Sequence, residues 1–104
     1  MKLNISLIIP TLNEEENIEK IFHNIKLLQA KEILIIDGGS KDKTKTILKK
    51  LRVLKTRASR GKQLATGARI SSQPWLFFLH ADTKITISNV NELKSFIKKK
   101  ENKV

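Results

Sequence analysis

The sequence predicts an α/β protein in which a parallel sheet lies between two layers of helices. Short apolar runs rich in isoleucine, leucine and phenylalanine alternate with segments whose apolar residues recur at helical spacing. The clearest runs also end in polar or glycine residues, as expected where a buried parallel strand reaches a turn. With 104 residues, the chain has room for one domain with one core.

The first unit is a strand, a turn and a helix. Residues 4–10 form a β-branched run closed by proline, which is typical of a strand. Asn13 is predicted to cap the following helix, with Glu16 as its capping-box partner. The buried face of that helix is expected to comprise Ile18, Ile21, Phe22, Ile25 and Leu28.

The second unit repeats this plan. Residues 33–36 form an apolar strand that ends at Asp37, and Gly38 and Gly39 predict a tight turn. A strand-end carboxylate before a helix N-terminus suits a nucleotide, although many α/β turns share this pattern. Ser40 is expected to cap a helix that buries Thr44, Ile47, Leu48 and Leu51.

The rest of the chain supplies two more strands and two more helices. Residues 52–56 predict a short strand, and residues 75–79 predict a strand that is buried on both faces. Arg60 opens a helix over about residues 61–71, where it suits a diphosphate. That helix is expected to bury Leu64, Ala65 and Ala68. The last helix, capped by Ser88, is expected to bury Val90, Leu93, Phe96 and Ile97.

Alternation of strands and helices predicts a parallel sheet with right-handed crossovers. If the third strand lies outermost and the chain then returns past the first, the strand order is 3-2-1-4. The carboxyl ends of strands one, two and four then meet at one edge of the sheet, where open parallel sheets bind ligands. This edge, called the rim below, comprises residues 10–14, 37–42 and 80–83. The candidate binding residues are Pro10, Thr11, Asn13, Glu14, Asp37, Gly38, Ser40, Asp42, Arg60, His80, Ala81 and Asp82.

His80 and Asp82 are the candidate metal ligands. They stand two residues apart directly after an apolar run, so an extended backbone would project both to the same side. Such a pair suits a divalent cation. The alternative is that Asp82 begins an Asx-type turn with Thr83 and that His80 is only a polar strand end.

Composition limits the class of protein without choosing it. The chain lacks cysteine, which excludes a disulfide framework and a thiolate metal site. It has no signal-peptide core and no apolar run of about 18 residues, which predicts a cytoplasmic protein. The net charge of +11 is the sum of −2 in residues 1–37 and +13 in residues 38–104. A positive field attracts phosphates, nucleic acid or anionic lipid, but a general bias towards lysine would produce the same excess.

The motifs together resemble the N-terminal, nucleotide-sugar-binding half of a family 2 glycosyltransferase with a GT-A fold. The matching segments are residues 8–15, 35–44, 60–63 and 78–83, and the resemblance spans about residues 4–97. The run His80-Ala81-Asp82-Thr83, with Asp37-Gly38-Gly39-Ser40 upstream, is most similar to the arsenosugar-biosynthesis-like bacterial subgroup. The fold implied is a Rossmann-like parallel sheet.

This resemblance implies a role for each matching residue. Thr11 and Glu14 would line the nucleotide pocket, Asp37 would contact the base, and Ser40 and Asp42 would shape the adjoining loop. Arg60 would lie near the diphosphate. Asp82 would hold Mg²⁺ or Mn²⁺ between the two phosphates, where the cation offsets charge on the departing nucleoside diphosphate.

Two departures from the family pattern affect the expected activity. His80 replaces the first Asp of the commoner Asp-x-Asp motif, and imidazole tolerates Mn²⁺ better than Mg²⁺. Family members are considerably longer, and their second half supplies the acceptor site and the general base. Glu92 and Glu101 lie on the last helix, away from the rim. The 104 residues are therefore expected to be one truncated domain without its own catalytic base.

Three functions remain open at this point. The first is a glycosyltransferase that binds a nucleoside-diphosphate sugar and transfers sugar weakly on its own. The second is a basic module that binds nucleic acid, which the few aromatics and the lack of an RNA-binding motif disfavour. The third is a non-catalytic remnant, or a subunit whose sheet edge pairs with a C-terminal half or partner chain. The lysine-rich end of the last helix would either contact an anionic membrane or be solvated.

Overall fold

The computed structural model describes residues 2–101, which form four strands and four α-helices. The strands are β1 (Leu3–Thr11), β2 (Ala30–Asp37), β3 (Arg52–Lys55) and β4 (Trp75–Phe78). The helices are α1 (Ile18–Leu28), α2 (Thr44–Ile47), α3 (Arg60–Ile70) and α4 (Ile87–Glu101), and a single 3-10 turn (Glu15–Asn17) precedes α1. The predicted sequence of elements is confirmed.

The four strands form one parallel sheet in the order β3-β2-β1-β4, which confirms the predicted topology. β1 and β2 are in register to their last residues, where Thr11 lies beside Asp37. β4 joins the other side of β1, with Phe78 beside Ile8. The carboxyl ends of β1, β2 and β4 therefore share one edge of the sheet.

The two central strands are apolar on both faces because helices cover both sides of the sheet. Leu7 and Ile9 pack in the larger core cluster together with Ile21 of α1. Ile8 alternates with them and packs on the opposite face with Ile36 and Ile70, the last residue of α3. This arrangement explains the unbroken apolar runs of β1 and β2.

β4 is an edge strand, so the prediction that it is buried on both faces is wrong. Trp75 and Phe77 pack against the larger core, whereas Leu76 and Phe78 remain 39% and 42% exposed. Gly67 of α3 sits directly over Ile8 and Ile36, which belong to β1 and β2. Since α3 lies over the two central strands, one face of β4 is left uncovered.

Each of the four predicted helix faces needs some correction, and on α2 Ile47, predicted to be buried, is 40% exposed. Phe22 of α1 is 42% exposed, and the buried position on that face belongs to Asn24 instead. The Asn24 side chain donates to the carbonyl oxygen of Thr83 (2.6 Å) and accepts from the backbone N–H of Ile85 (2.9 Å). It therefore fastens the segment before α4 to α1. On α3, Gln63 and Gly67 are buried, whereas Ala65 is exposed.

α4 buries Val90, with Leu93 and Ile97 packed beside it, but its Phe96 is half-exposed and meets Trp75 edge-on. The predicted burial of Phe96 is therefore wrong. No helix within residues 2–101 is long and apolar enough to cross a membrane.

The predicted helix caps were wrong at three serine or asparagine positions. Asn13 adopts a left-handed backbone (φ 54°) and lies five residues before α1 begins at residue 18. Ser40 precedes α2 by four residues and bonds to Asp37 instead. At α4, Thr86 and Asn89 exchange side-chain hydrogen bonds with each other's backbone N–H, so Thr86 rather than Ser88 caps the helix.

At the amino end of the sheet, Glu32 links β2 to the loop that leads into β4. Its carboxylate accepts from the Ser6 hydroxyl (2.7 Å) and from the backbone N–H of Ser72 (2.7 Å), and it pairs with Arg52 (3.6 Å). Burial alone would raise the pKa of Glu32, but these hydrogen bonds and the Arg52 charge hold it below its ordinary value.

Glu32→Gln is expected to lower the free energy of unfolding by about 1 kcal/mol, because it weakens charge-assisted bonds to Ser6 and Ser72. Since the folded-state pKa is depressed, the stabilisation exists above the unfolded pKa and is lost as pH falls through the folded pKa. Urea unfolding at neutral and acidic pH measures both effects. Glu19→Gln, at an exposed site on α1, is the control; equal losses in the two variants would contradict the role of Glu32.

Candidate functional site

The rim is organised around the carboxylate of Asp37 at the end of β2. One carboxylate oxygen accepts from the hydroxyls of Thr11 (2.8 Å) and Ser40 (2.6 Å). The other accepts from the backbone N–H groups of Gly39 (2.9 Å) and Ser40 (2.7 Å). Gly39 has a positive φ of 99°, which lets the loop fold back over the carboxylate.

The environment of Asp37 keeps it ionised. Burial alone would raise the pKa of Asp37, because it disfavours the charged form. The hydrogen bonds from Ser40, Thr11 and Gly39 outweigh burial and hold the pKa below its ordinary value. Asp37 is therefore a buried negative charge that is fully satisfied by the two strand ends and the loop.

Asp37, for which the resemblance implies a contact to the base, is enclosed by its own loops in the structure. The residue is fully buried, and both carboxylate oxygens already accept two hydrogen bonds each. Asp37 instead acts as a positioning residue for the rim. Five other candidate binding residues are also buried and therefore form the wall of the rim: Pro10, Thr11, Gly38, Ser40 and Ala81.

The loops after β1 and β2 are tied together by Ser40 and Asn13. The Ser40 hydroxyl donates to Asp37 and accepts from the backbone N–H of Asn13 (2.8 Å). The Asn13 side chain accepts from the backbone N–H of Lys41 (2.7 Å). The left-handed backbone of Asn13 thus serves to link the loops, which is why it does not cap a helix.

A second hydrogen bond between the loops after β1 and β2 joins Glu14 to Thr44. The Thr44 hydroxyl donates to the Asp42 carboxylate and accepts from the backbone N–H of Glu14 (2.9 Å). Asp42 also accepts from the backbone N–H groups of Thr44 (2.9 Å) and Glu15 (3.1 Å). The Thr44 hydroxyl in particular keeps the pKa of Asp42 below its ordinary value. The Asp42 carboxylate therefore bonds within the loop after β2 and to the start of the 3-10 turn before α1.

Gln63 of α3 is a rim residue to which the sequence assigned no role. Its buried amide donates to the carbonyl oxygens of Thr11 (3.0 Å) and Ile36 (2.9 Å), which joins α3 to the ends of both central strands. Gly38 makes room for this contact, since a Cβ there would lie 3.1 Å from the Gln63 amide. The sequence held one signal that Gln63 is buried: it is a polar residue among the apolar positions of a helix.

Arg60, the first residue of α3, reaches across to His80 after β4. Its Nη1 contacts Nδ1 of His80, and both side chains are exposed. Because guanidinium only donates, His80 Nδ1 is the acceptor in this contact. The helix that carries Gln63 thereby brings the β4 end of the rim together with the β1 and β2 ends.

Asp82 lies exposed in a turn closed by a hydrogen bond from the Thr83 N–H to the His80 carbonyl oxygen (3.1 Å). β4 has already ended at Phe78, so the expectation that an extended backbone projects His80 and Asp82 to one side is wrong. In the described part of the chain, no cluster of three or more His, Cys, Asp or Glu side chains forms a ready cation site. A cation bound here would need oxygens from a ligand or water.

The rim thus has a rigid part and an open part. The buried carboxylate, hydroxyls and Gln63 amide satisfy one another and hold the loops in place. The open part presents Arg60, a guanidinium suited to phosphate, beside His80 and the carboxylate of Asp82, which suits a hard cation. Together these groups can bind a phosphorylated ligand with a divalent cation.

Comparison with known protein families gives one match that spans almost the whole chain. A model of the family described as Glycosyl transferase family 2 matches residues 6–104. The chain is also 45% identical over 47 residues to the UDP-N-acetylglucosamine--dolichyl-phosphate N-acetylglucosaminyltransferase of Methanococcus voltae. That alignment covers 45% of this chain and 19% of the relative.

Solved structures share the fold. The structure of S. aureus TarS 1-349 covers 95% of this chain with a TM-score of 0.79 at 22% identity, and 33% of that chain is matched. Glucosyl-3-phosphoglycerate synthase from M. tuberculosis covers 77% of this chain with a TM-score of 0.66 at 28% identity, and 34% of it is matched. The same synthase has been crystallised with Mn²⁺, uridine diphosphate and glucosyl-3-phosphoglycerate. This chain spans about a fifth of the curated relative and about a third of these structures.

Proposed function

The chain belongs to glycosyl transferase family 2, and from this premise we propose that it binds a nucleoside-diphosphate sugar through a divalent cation for transfer of the sugar to an acceptor. The observation that carries the proposal is the rim itself. Two loops locked around a buried, ionised Asp37 stand beside three exposed groups that suit phosphate and metal, Arg60, His80 and Asp82. Solved relatives with uridine diphosphate and Mn²⁺ support this ligand class.

The candidate residues divide between building the pocket and contacting the ligand. Asp37, Ser40 and Asp42 set the shape of the loops. The groups proposed to meet the ligand are those left exposed or half-exposed at the rim: Asn13, Glu14, Arg60, His80 and Asp82. Arg60 would contact the diphosphate, because a guanidinium can donate to two phosphate oxygens at once.

Asp82 and His80 would hold Mg²⁺ or Mn²⁺, with Asp82 the stronger ligand for a hard cation. Asp82 makes no side-chain hydrogen bond or ion pair within residues 2–101, so its carboxylate is available. The Nδ1 atom of His80 accepts from Arg60, so Nε2 carries the proton in this arrangement, and His80 would have to release Arg60 to ligate the cation. The bound cation would supply charge stabilisation for the departing diphosphate.

The acceptor site and the general base are proposed to lie outside the rim described above. Glu101 accepts from the Trp75 indole N–H (3.1 Å) at the start of β4, which is the end of the sheet opposite the rim. The uncovered face of β4 at Leu76 and Phe78 supports pairing with further polypeptide there, as a C-terminal half or a partner chain. From its His80-Ala81-Asp82-Thr83 run, we also propose membership of the arsenosugar-biosynthesis-like subgroup.

The decisive measurement is calorimetric titration of the chain with uridine diphosphate and guanosine diphosphate, with and without Mn²⁺. Binding of one nucleotide is expected to require the cation. Asp82→Ala is expected to weaken the Mn²⁺-supported binding by about tenfold or more, because it removes the available carboxylate.

Glu92→Ala is the matched control, since it removes an exposed carboxylate on α4 and should leave binding unchanged. Nucleotide binding that is indifferent to Mn²⁺, or that survives Asp82→Ala unaltered, would contradict the proposed cation site. Affinity for nucleic acid that falls steeply with salt and ignores Asp82 would favour the basic-module alternative.

A further inference from the structure

A second basic site lies between α1 and α4, which pack in the larger core cluster, whereas Ile70 of α3 packs on the other face of the sheet. A cleft of about 490 Å³ separates the two helices, within the range of small-molecule sites in proteins. Its lining consists of His23, Lys26, Leu27, Gln29, Ile87 and Lys94. Two lysines and a histidine converge there from different elements, and the lining includes no carboxylate.

The walls of the cleft are held in place by side-chain hydrogen bonds. Asn24 bonds to Thr83 and Ile85, which fixes the segment before α4 against α1. Nε2 of His23 lies 2.9 Å from the carbonyl oxygen of Ile85. Because a carbonyl only accepts, Nε2 carries the proton in this bond, and the imidazole is fixed at the cleft wall.

The two lysines are available for a ligand. Within residues 2–101 the structure has one ion pair, between Arg52 and Glu32, so neither Lys26 nor Lys94 is paired with a carboxylate there. The cleft also has an apolar side, formed by half-buried Leu27 and by Ile87, which is 64% exposed. Paired lysines beside an apolar wall suit an oxyanion that is attached to a less polar group.

The cleft is separate from the rim. Gln29, which lines it, accepts a hydrogen bond from the backbone N–H of Leu3 at the start of β1 (2.8 Å). β1 runs from there to the rim at Thr11, ~26 Å away for eight residue steps. At its other end the cleft is lined by Ile87, four residues after the rim residue Thr83, so the two sites share no residue but are close at that end.

We propose that the cleft between α1 and α4 is an anion site that binds a phosphate group through Lys26 and Lys94. The phosphate is either a free soluble phosphate or the headgroup of an anionic lipid, and both present the same oxyanion to the two lysines. This proposal does not depend on the rim binding a nucleotide.

The test is an amide-shift NMR titration of the intact chain with inorganic phosphate. Saturable shifts are expected at Lys26, Gln29, Ile87 and Lys94, with a dissociation constant on the order of 1 mM, as suits exposed charges. The double variant K26Q/K94Q is expected to weaken binding in the cleft by about tenfold or more. K49Q/K50Q removes the same charge at exposed positions between α2 and β3 and should retain it.

Vesicles of phosphatidylcholine with and without phosphatidic acid distinguish the two sources. Co-sedimentation that requires phosphatidic acid and falls in K26Q/K94Q, but not in K49Q/K50Q, assigns the site to a lipid headgroup. Cleft shifts with inorganic phosphate but no such co-sedimentation assign it to a soluble phosphate. The proposal is overturned if neither phosphate source depends on Lys26 and Lys94, or if the shifts occur only at the rim.

Discussion

Asp37→Asn is expected to lower the free energy of unfolding by about 3 kcal/mol, the largest effect of any rim substitution. The wild-type carboxylate accepts four hydrogen bonds in a fully buried position. An amide has one accepting oxygen, so its NH₂ group would face two of the four donors and leave them buried without an acceptor. Chemical denaturation of the two proteins measures the loss.

Two further measurements separate this explanation from a general effect of charge. Asp82→Asn makes the same chemical change at an exposed site and should leave stability almost unchanged. Because the pKa of folded Asp37 is depressed, its stabilisation exists above the unfolded value of about 3.9 and is lost as pH falls through the folded pKa. The difference between wild type and Asp37→Asn should therefore shrink in acid. A difference that is constant from neutral pH to pH ~2 would count against the buried carboxylate.

Gly67→Ala is expected to destabilise the fold by about 2 kcal/mol, although alanine normally favours a helix. A Cβ at this position of α3 would lie 2.4 Å from Cγ2 of Ile8, a fully buried side chain of β1. The helix or the strand must shift to relieve this contact, and such overpacking outweighs the helix preference of alanine. Since α3 also carries Gln63 and Arg60, the same shift should weaken nucleotide binding.

Three companion variants test the steric explanation. Gly61→Ala lies on the same helix with nothing within 4 Å of the new Cβ, so it should be neutral or stabilising. Ile8→Ala removes the clashing Cγ2 and should make the double variant with Gly67→Ala less unstable than the sum of the single changes. Ile8→Val keeps Cγ2, so the double variant of Ile8→Val and Gly67→Ala should be as unstable as the sum of the single changes. Strict additivity with Ile8→Ala would disprove the clash.

The sequence predicted the site in outline but not the roles of its members. Polar residues at the ends of apolar runs located the rim, because parallel strands end together at one edge. In the structure Asp37 is buried and fully hydrogen-bonded, whereas Asp82 is exposed. The sequence did not predict this difference. Each is an aspartate at or within three residues of the end of an apolar run, and their roles depend on which neighbouring loops supply donors.

The helix caps show the same limit. Asn13 and Ser40 are residues that favour caps, and the sequence offers each a helix to begin. In the structure they bond to each other's loops instead, 27 residues apart along the chain. For Ser40 the cap preference lost because its hydroxyl and backbone N–H donate to the buried charge of Asp37, three residues earlier.

The sequence by itself determined the succession of strands and helices and the parallel sheet, because hydrophobic periodicity is a property of the chain. The sheet order and the edge that carries the site followed once the chain was assumed to return past the first strand, with right-handed crossovers. Only the tertiary structure decided that α3 lies over β1 and β2, which leaves β4 with an uncovered face, and that Gln63 closes the rim. It also brought Lys26 and Lys94 into one cleft. These features depend on contacts between residues distant in sequence, and distant residues leave no periodic signal.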